Sequence, residues 1–164
     1  MTFGNVTKPY FYHVYGLGWR NYNNNNKRLP TLLYRLIYVS DATGAAGANL
    51  FVLADILGAS DRNNRRDRLT GVLVQHAGRY LQQLEGARVD LDRLMGRLRA
   101  DPRHDAIRVL HDAPIAERSM QWPMAHAPLT PALKAFLDGS VSVESGALAG
   151  KLLRDAASAL SAAA

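Results

Sequence analysis

Residues 69–86, LTGVLVQHAGRYLQQLEG, decide the fold. Leu69 to Gln75 is an apolar, β-branched run, Arg79 to Leu84 is a second, and only a short stretch through Ala77-Gly78 separates them. Two strands joined so closely pair as a hairpin. Upstream, Leu32 to Val39 (LLYRLIYV) is apolar on both alternating faces, the pattern of a central strand covered on both sides. Leu50, Leu53, Ile56 and Leu57 then recur at the spacing of one helix face, and this helix is expected to end near Gly58 to Ser60. The polar run SDRNNRRDR, residues 60–68, reads as a turn leading into the hairpin.

Downstream, Leu91, Leu94, Met95 and Leu98 repeat the helical spacing. Asp90 and Asp92 come early and Arg97 and Arg99 late, as the helix dipole favours, and the helix stops at Asp101-Pro102. Ile107 to Leu110 supplies a fourth strand, and a piece around Ser119 to Met124 a fifth. The order β-α-β-β-α-β is that of an α+β, ferredoxin-like sandwich, with two helices on one face of a mainly antiparallel sheet. Thr130-Pro131 opens a short helix that runs through Leu137 and closes at Gly139. A last helix is expected from about Ser145 to Leu160, with Leu148, Leu152, Leu153, Ala156 and Leu160 as its apolar stripe. These terminal helices are expected on the second face of the sheet, although the same surface could instead dock a partner.

At 164 residues and 48% hydrophobic content the chain can bury one core. The absence of cysteine excludes disulfides, thiolate metal sites, a cysteinyl nucleophile and any light sensor working through a flavin–cysteine adduct. It also fits a cytoplasmic location. No apolar run has the length of a membrane span, so no membrane partner is expected. The formal charge of +6 invites a nucleic-acid reading, yet Lys8, Arg20, Lys27 and Arg28 contribute four of those charges within an acid-free segment. Nucleic acid is therefore not expected as the main partner. Residues 1–31 show no helical or strand period and are expected to be a disordered extension, with residues 32–126 forming the central domain and 127–164 a helical cap.

A few polar groups stand where apolar ones would be expected. In the third strand Tyr80, Gln82 and Leu84 share one face and Leu81, Gln83 and Glu85 the other, so a glutamine faces inward either way. Tyr38 shares its face with Leu36 and Tyr34, so a buried phenol on one strand can meet a buried amide on another. Such a pair is also an ordinary core hydrogen bond. Asn63, Asn64 and Arg66 could hydrogen-bond the carbonyls of a heterocycle or a phosphate, although asparagines are ordinary turn residues. Arg103 and His104 would lie near the same end of the cleft.

In combination, these segments resemble the BLUF family, the sensors of blue light using flavin adenine dinucleotide (FAD). The resemblance runs from about Leu32 to Ala125 through LYRLIYVS, ILGASDRNNRRDRLTGVLV, GRYLQQLEG, DPRH and the Trp122-Pro123-Met124 tripeptide, in order and at family-like spacing. It implies a short blue-light photoreceptor that binds FAD non-covalently and is not an enzyme. Tyr38 would be the flavin-facing tyrosine and Gln82 the glutamine beside flavin N5. Asn64 would bond the isoalloxazine carbonyl and N3 edge, Asn63 and Arg66 would support that polar end, and Ile56 would pack on the ring. Asp101, Arg103 and His104 would flank the ribityl and phosphate portion. The implied signal is a light-driven change of the Tyr-Gln-flavin hydrogen bonds, passed through Trp122 and Met124 to the C-terminal helices. The implied partners are a downstream protein in a light-dependent complex and further copies of the chain.

The sequence departs from the family pattern at Asp41, where an arginine is common, and at Ser119, where an aromatic residue is usual. Two alternatives on the same fold are a ligand-binding module without photochemistry and an acylphosphatase-like enzyme using Asn64 and Arg66. Against the enzyme, Asp41 to Gly47, where its phosphate loop would fall, contains no arginine.

Overall fold

Among the described residues, five strands and four α-helices follow one another as β1 (Leu33–Ala42), α1 (Leu50–Asp67), β2 (Thr70–His76), β3 (Arg79–Ala87), α2 (Arg88–Ala100), β4 (His104–Ile115), β5 (Ala125–His126), α3 (Pro131–Asp138) and α4 (Gly146–Ala162). The computed structural model describes residues 31–44 and 50–162. The extension expected over residues 1–31 lies outside the described residues except for Thr31. The strands form one sheet in the order β4-β1-β3-β2-β5. β1 is antiparallel to both β3 and β4, β2 is antiparallel to β3, and β2 runs parallel to β5. This is the expected ferredoxin-like arrangement.

The hairpin turns on Ala77 and Gly78, both at positive φ (48° and 73°), the conformation whose twist suits paired strands. Both faces of the sheet are covered. On one, Leu36, Tyr38, Leu84, Leu91, Leu94 and Met95 pack together beneath α2, while Leu53, Ile56, Leu73 and Tyr80 form a second cluster beneath α1. On the other, Ile37, Val39, Val72, Val74 and Leu81 meet Leu133, Leu137, Ala149, Leu153, Ala156 and Ala157 of α3 and α4. Thr130 caps α3 as expected, its side chain accepting from the Leu133 amide at 3.2 Å. α4 sits close to the sheet because a Cβ at Gly150 would come 2.9 Å from Ile37 Cδ1. The glycine and alanine positions thus set its packing face, and Leu148, expected in the apolar stripe, is half exposed instead.

Two expectations about local structure are corrected. α1 does not end near Gly58 to Ser60; it continues to Asp67, so residues 60–67 are helical rather than a turn. An Asp61–Arg65 ion pair (Nε to Oδ2, 2.7 Å) supports the extra turns, and Arg65 and Arg66 suit the helix C-terminus. The true end is Arg68 at φ 53°, with the Leu69 amide bonded to the Asn64 carbonyl and the Arg68 amide to that of Arg65. These two bonds make a Schellman termination. The second correction concerns Ser119 to Met124, which is irregular; β5 begins one residue later, at Ala125. Pro123 lacks an amide donor, so the tripeptide cannot sustain a ladder. It is anchored at single points instead, the Gly71 amide donating to the Trp122 carbonyl at 3.0 Å.

Candidate functional site

Register alone brings the two singled-out polar residues together. Tyr38 in β1 lies directly opposite Gln82 in β3, both pointing to the face beneath α1 and α2. Both are buried, and the Tyr38 hydroxyl donates a short hydrogen bond to Gln82 Oε1. Burial pushes the Tyr38 phenol far above its ordinary range, with Tyr80 and Asp101 adding to the shift. Tyr38 is therefore a neutral donor at any physiological pH. The Gln82 amide nitrogen points the other way, 3.6 Å from Met124 Sδ. Met124 packs on the Tyr38 side of the sheet, whereas Trp122 packs against the core under α3 and α4.

Beside Gln82 opens a cleft of about 200 Å3 between α1 and α2. Ile56, Leu73, Leu94 and Leu98 give it apolar walls, and Asn63, Asn64, Gln82, Arg97, Asp101, Arg103 and His104 its polar positions. Six of the seven expected cofactor contacts thus line one cavity. Arg66 does not; its guanidinium is largely exposed and grips Asp67 (Nε to Oδ1, 2.9 Å). Arg97, which sequence reading treated only as a helix-end cation, takes a place on the cleft wall. Its signal was present: Ile56, Ser60, Asn63, Asn64 and Asp67 fall on one stripe once the segment is read as helix. Asp67 then holds Arg97 (Nη2 to Oδ2, 2.7 Å).

Asp67 is almost wholly buried, and hydrogen bonds from Arg66 and, against the cost of burial, from Arg97 lower its pKa to about 2. The folded value lies below the unfolded one of about 3.9. Its contribution to stability is therefore present above the unfolded value and lost as the pH falls through about 2. Urea unfolding followed across this acid window should show stability rising with pH in the wild type and a flatter dependence in Asp67→Asn; parallel curves would contradict the assignment.

The polar end of the cleft is ordered by its own contacts. Arg103 forks onto Asp101 at 2.6 Å, which lowers the Asp101 carboxyl. His104 Nδ1 lies 2.9 Å from Ser40 Oγ, and its ring centroid lies 4.9 Å from that of Tyr80. Burial lowers its pKa, favouring the neutral ring. Asn64 is fully buried, and its amide nitrogen donates to the Pro123 carbonyl at 2.7 Å. Its side-chain oxygen has no partner among the described residues. A buried acceptor left unpaired costs about 1–3 kcal/mol, so this oxygen is open to a hydrogen-bond donor from something that enters the cleft.

A family model described as "Sensors of blue-light using FAD" matches residues 33–125, more than half of the chain. The chain belongs to the BLUF family. Among curated proteins it is 32% identical over 113 residues to photoactivated adenylate cyclase subunit alpha of Euglena gracilis, covering 65% of this chain and 11% of that protein. The beta subunit of Euglena longa is likewise 32% identical over 113 residues, with 13% of its length covered. The chain thus spans about a tenth of the length of these relatives. Among solved structures, the BLUF protein BlrB in its dark state is 31% identical at a TM-score of 0.54, covering 58% of this chain and 72% of that one. BlsA in its photo-activated state is 29% identical at a TM-score of 0.59, covering 64% and 76%. That family is described as sensors of blue light using FAD, and the acylphosphatase-like alternative is not favoured. The residues present fit that group: apolar walls for a flat ring system, an unpaired buried acceptor for an imide N–H, and guanidinium groups at the polar end.

Among the described residues, no helix is long and apolar enough to cross a membrane.

Proposed function

We propose that the cleft between α1 and α2 binds FAD and that Tyr38, Gln82 and Met124 turn light absorption into a change of hydrogen bonding. The unpaired Asn64 oxygen carries this reading. Asn64 would hold the N3 edge of the isoalloxazine, Ile56 and Leu73 its faces, and Asn63 its polar rim. Asp101, Arg103, His104 and Arg97 would hold the ribityl and phosphate part. At about 200 Å3 the cleft is below the ~300–1,000 Å3 of common ligand sites, so the remainder of a dinucleotide would lie across its mouth. Bound flavin supplies blue absorption and, when excited, takes up an electron and a proton.

Gln82 presents an acceptor to Tyr38 and a donor to Met124. Rotation or tautomerisation of its amide exchanges these ends. Tyr38 then faces a donor and must accept, and Met124 Sδ loses the N–H it had. Met124 is released, and with it the segment that also carries Trp122 toward α4. Residues 32–126 would be the sensing domain and 127–164 the cap that receives the signal. The output is a light-dependent contact with a downstream protein, in the cytoplasm, by a chain with no enzymatic activity of its own. Val143 and Leu148, both more than half exposed near the start of α4, support self-association.

Mass spectrometry of the cofactor released from purified protein tests the dinucleotide: the mass of FAD is expected, and FMN alone would overturn it. Asn64→Ala should weaken flavin retention about five- to hundredfold, the worth of one lost bond to a buried acceptor. Unchanged affinity in a dilution assay would remove Asn64 from the site.

A further inference from the structure

On the opposite side of the sheet a second cleft, of about 340 Å3, opens between α4 and the segment leading into Trp122. Arg118, Ser119, Trp122, Arg154 and Ser158 supply its functional groups, and no carboxylate lines it. Neither arginine forms an ion pair with a described residue. Arg118 is held rigidly by neutral acceptors: Thr70 Oγ1 at 2.9 Å, the Arg68 carbonyl at 2.7 Å and the Glu85 carbonyl. The Arg154 guanidinium, on α4, has no hydrogen-bond partner among the described residues, while its carbonyl accepts from Ser158 Oγ at 2.9 Å. Two guanidinium groups without an ion pair, beside an indole face, form a receptor for an oxyanion attached to something larger; the Ser119 and Ser158 hydroxyls already donate to Glu85 Oε1 (2.7 Å) and to the Arg154 carbonyl (2.9 Å).

We propose that this cleft is the docking site for an acidic segment of the partner protein, a carboxylate bonding Arg118 and Arg154 while the chain beside it packs on Trp122. Charge complementarity selects the occupant, since a second copy of this basic chain would have to offer an acid into the same field. The location links the site to light. Ser119 to Trp122 form one wall, and two residues further on Met124 contacts Gln82, while Pro123 is bonded by Asn64. Movement of Met124 would displace Trp122 and reset the distance between Arg118 and α4. This coupling rests on the BLUF reading above; the site itself does not.

The probe is an acetylated, amidated tetraglutamate peptide carrying a far-red dye, whose anisotropy is read without exciting flavin. In the dark it should bind, weaken as salt is raised, and lose about tenfold or more in affinity in Arg154→Gln. Arg154→Gln removes no side-chain hydrogen bond or ion pair among the described residues and keeps the carbonyl that Ser158 bonds, so it folds as the wild type does; an intact red shift under blue light confirms that. Arg154→Glu should reject tetraglutamate and take up tetralysine. Blue light should change the affinity of the wild type about fivefold or more. Tetraglutamate affinity unaffected by Arg154→Gln would overturn the site, and so would competition by inorganic phosphate as strong as by the peptide, which would make it a small-anion pocket. Equal affinity in light and dark, with the red shift present, would overturn the coupling. Absence of any red shift would instead refute the photosensory reading, and the dark titration would still decide the site.

Discussion

Tyr38→Phe is expected to leave the protein yellow and to abolish its light-induced spectral shift. The substitution removes one oxygen and keeps the ring, so the packing of Leu36, Leu84 and Met95 around it is preserved. What disappears is the hydroxyl that donates to Gln82 Oε1. The Gln82 carbonyl then has no donor, and the amide has no reason to prefer one orientation. Loss of a single buried hydrogen bond should cost about 1–3 kcal/mol of stability, too little to unfold a domain of this size. Steady illumination monitored by absorbance separates the outcomes: colour with no shift supports the assignment, and a full shift would place the donor elsewhere. Tyr80, also buried on that face and beside His104, is the residue to examine in that case.

Glu85→Ala should be the most destabilising single change on the opposite face. The Glu85 carboxylate is fully buried and accepts from Arg35 Nε (2.9 Å), Gln83 Nε2 (3.0 Å), Ser119 Oγ (2.7 Å) and the backbone amides of Ser119 (2.7 Å) and Met120 (3.0 Å). Removing it strands a largely buried guanidinium and two backbone donors, and breaking such a pair from one side costs about 3–5 kcal/mol. Urea unfolding at neutral pH measures it. A loss below about 1 kcal/mol would mean that water replaces the carboxylate at little cost. The same contacts tie β3, which carries Gln82, to the segment that carries Trp122 and Met124. Loosening them should also relax amide protection at Ser119 and Met120 before the rest of the sheet.

Much of this architecture was legible because alternation in a two-sided sheet leaves few choices. LLYRLIYV is apolar on both faces, and both faces are covered. The Tyr38–Gln82 pairing was readable as two inward polar groups, although their direct opposition needed the register of β1 against β3. The run SDRNNRRDR was misread because asparagine and arginine carry strong turn and surface associations. Its ion pairs and its termination at Arg68, a position where glycine is usual, were not visible in composition. That misreading hid the helical stripe joining Ile56 to Asn64 and Asp67, and with it the role of Asp67 in placing Arg97. Strand β5 was placed too early because Pro123 was read as an edge feature within a strand, whereas the chain waits until Ala125 to pair with Val72. The polar contacts of Glu85 are long-range in sequence, and no local pattern announces them.

The central claim is that this chain is a flavin photosensor that signals by rearranging hydrogen bonds around Gln82. The most direct measurement is the absorption spectrum of the purified protein in darkness, under blue light and after return to darkness, for the wild type and Gln82→Leu. An oxidised-flavin spectrum that shifts reversibly to the red in the wild type, with flavin bound but no normal shift in Gln82→Leu, is the expected result. A protein that stays colourless when refolded with excess FAD, or a Gln82→Leu variant with the full reversible shift, would contradict it.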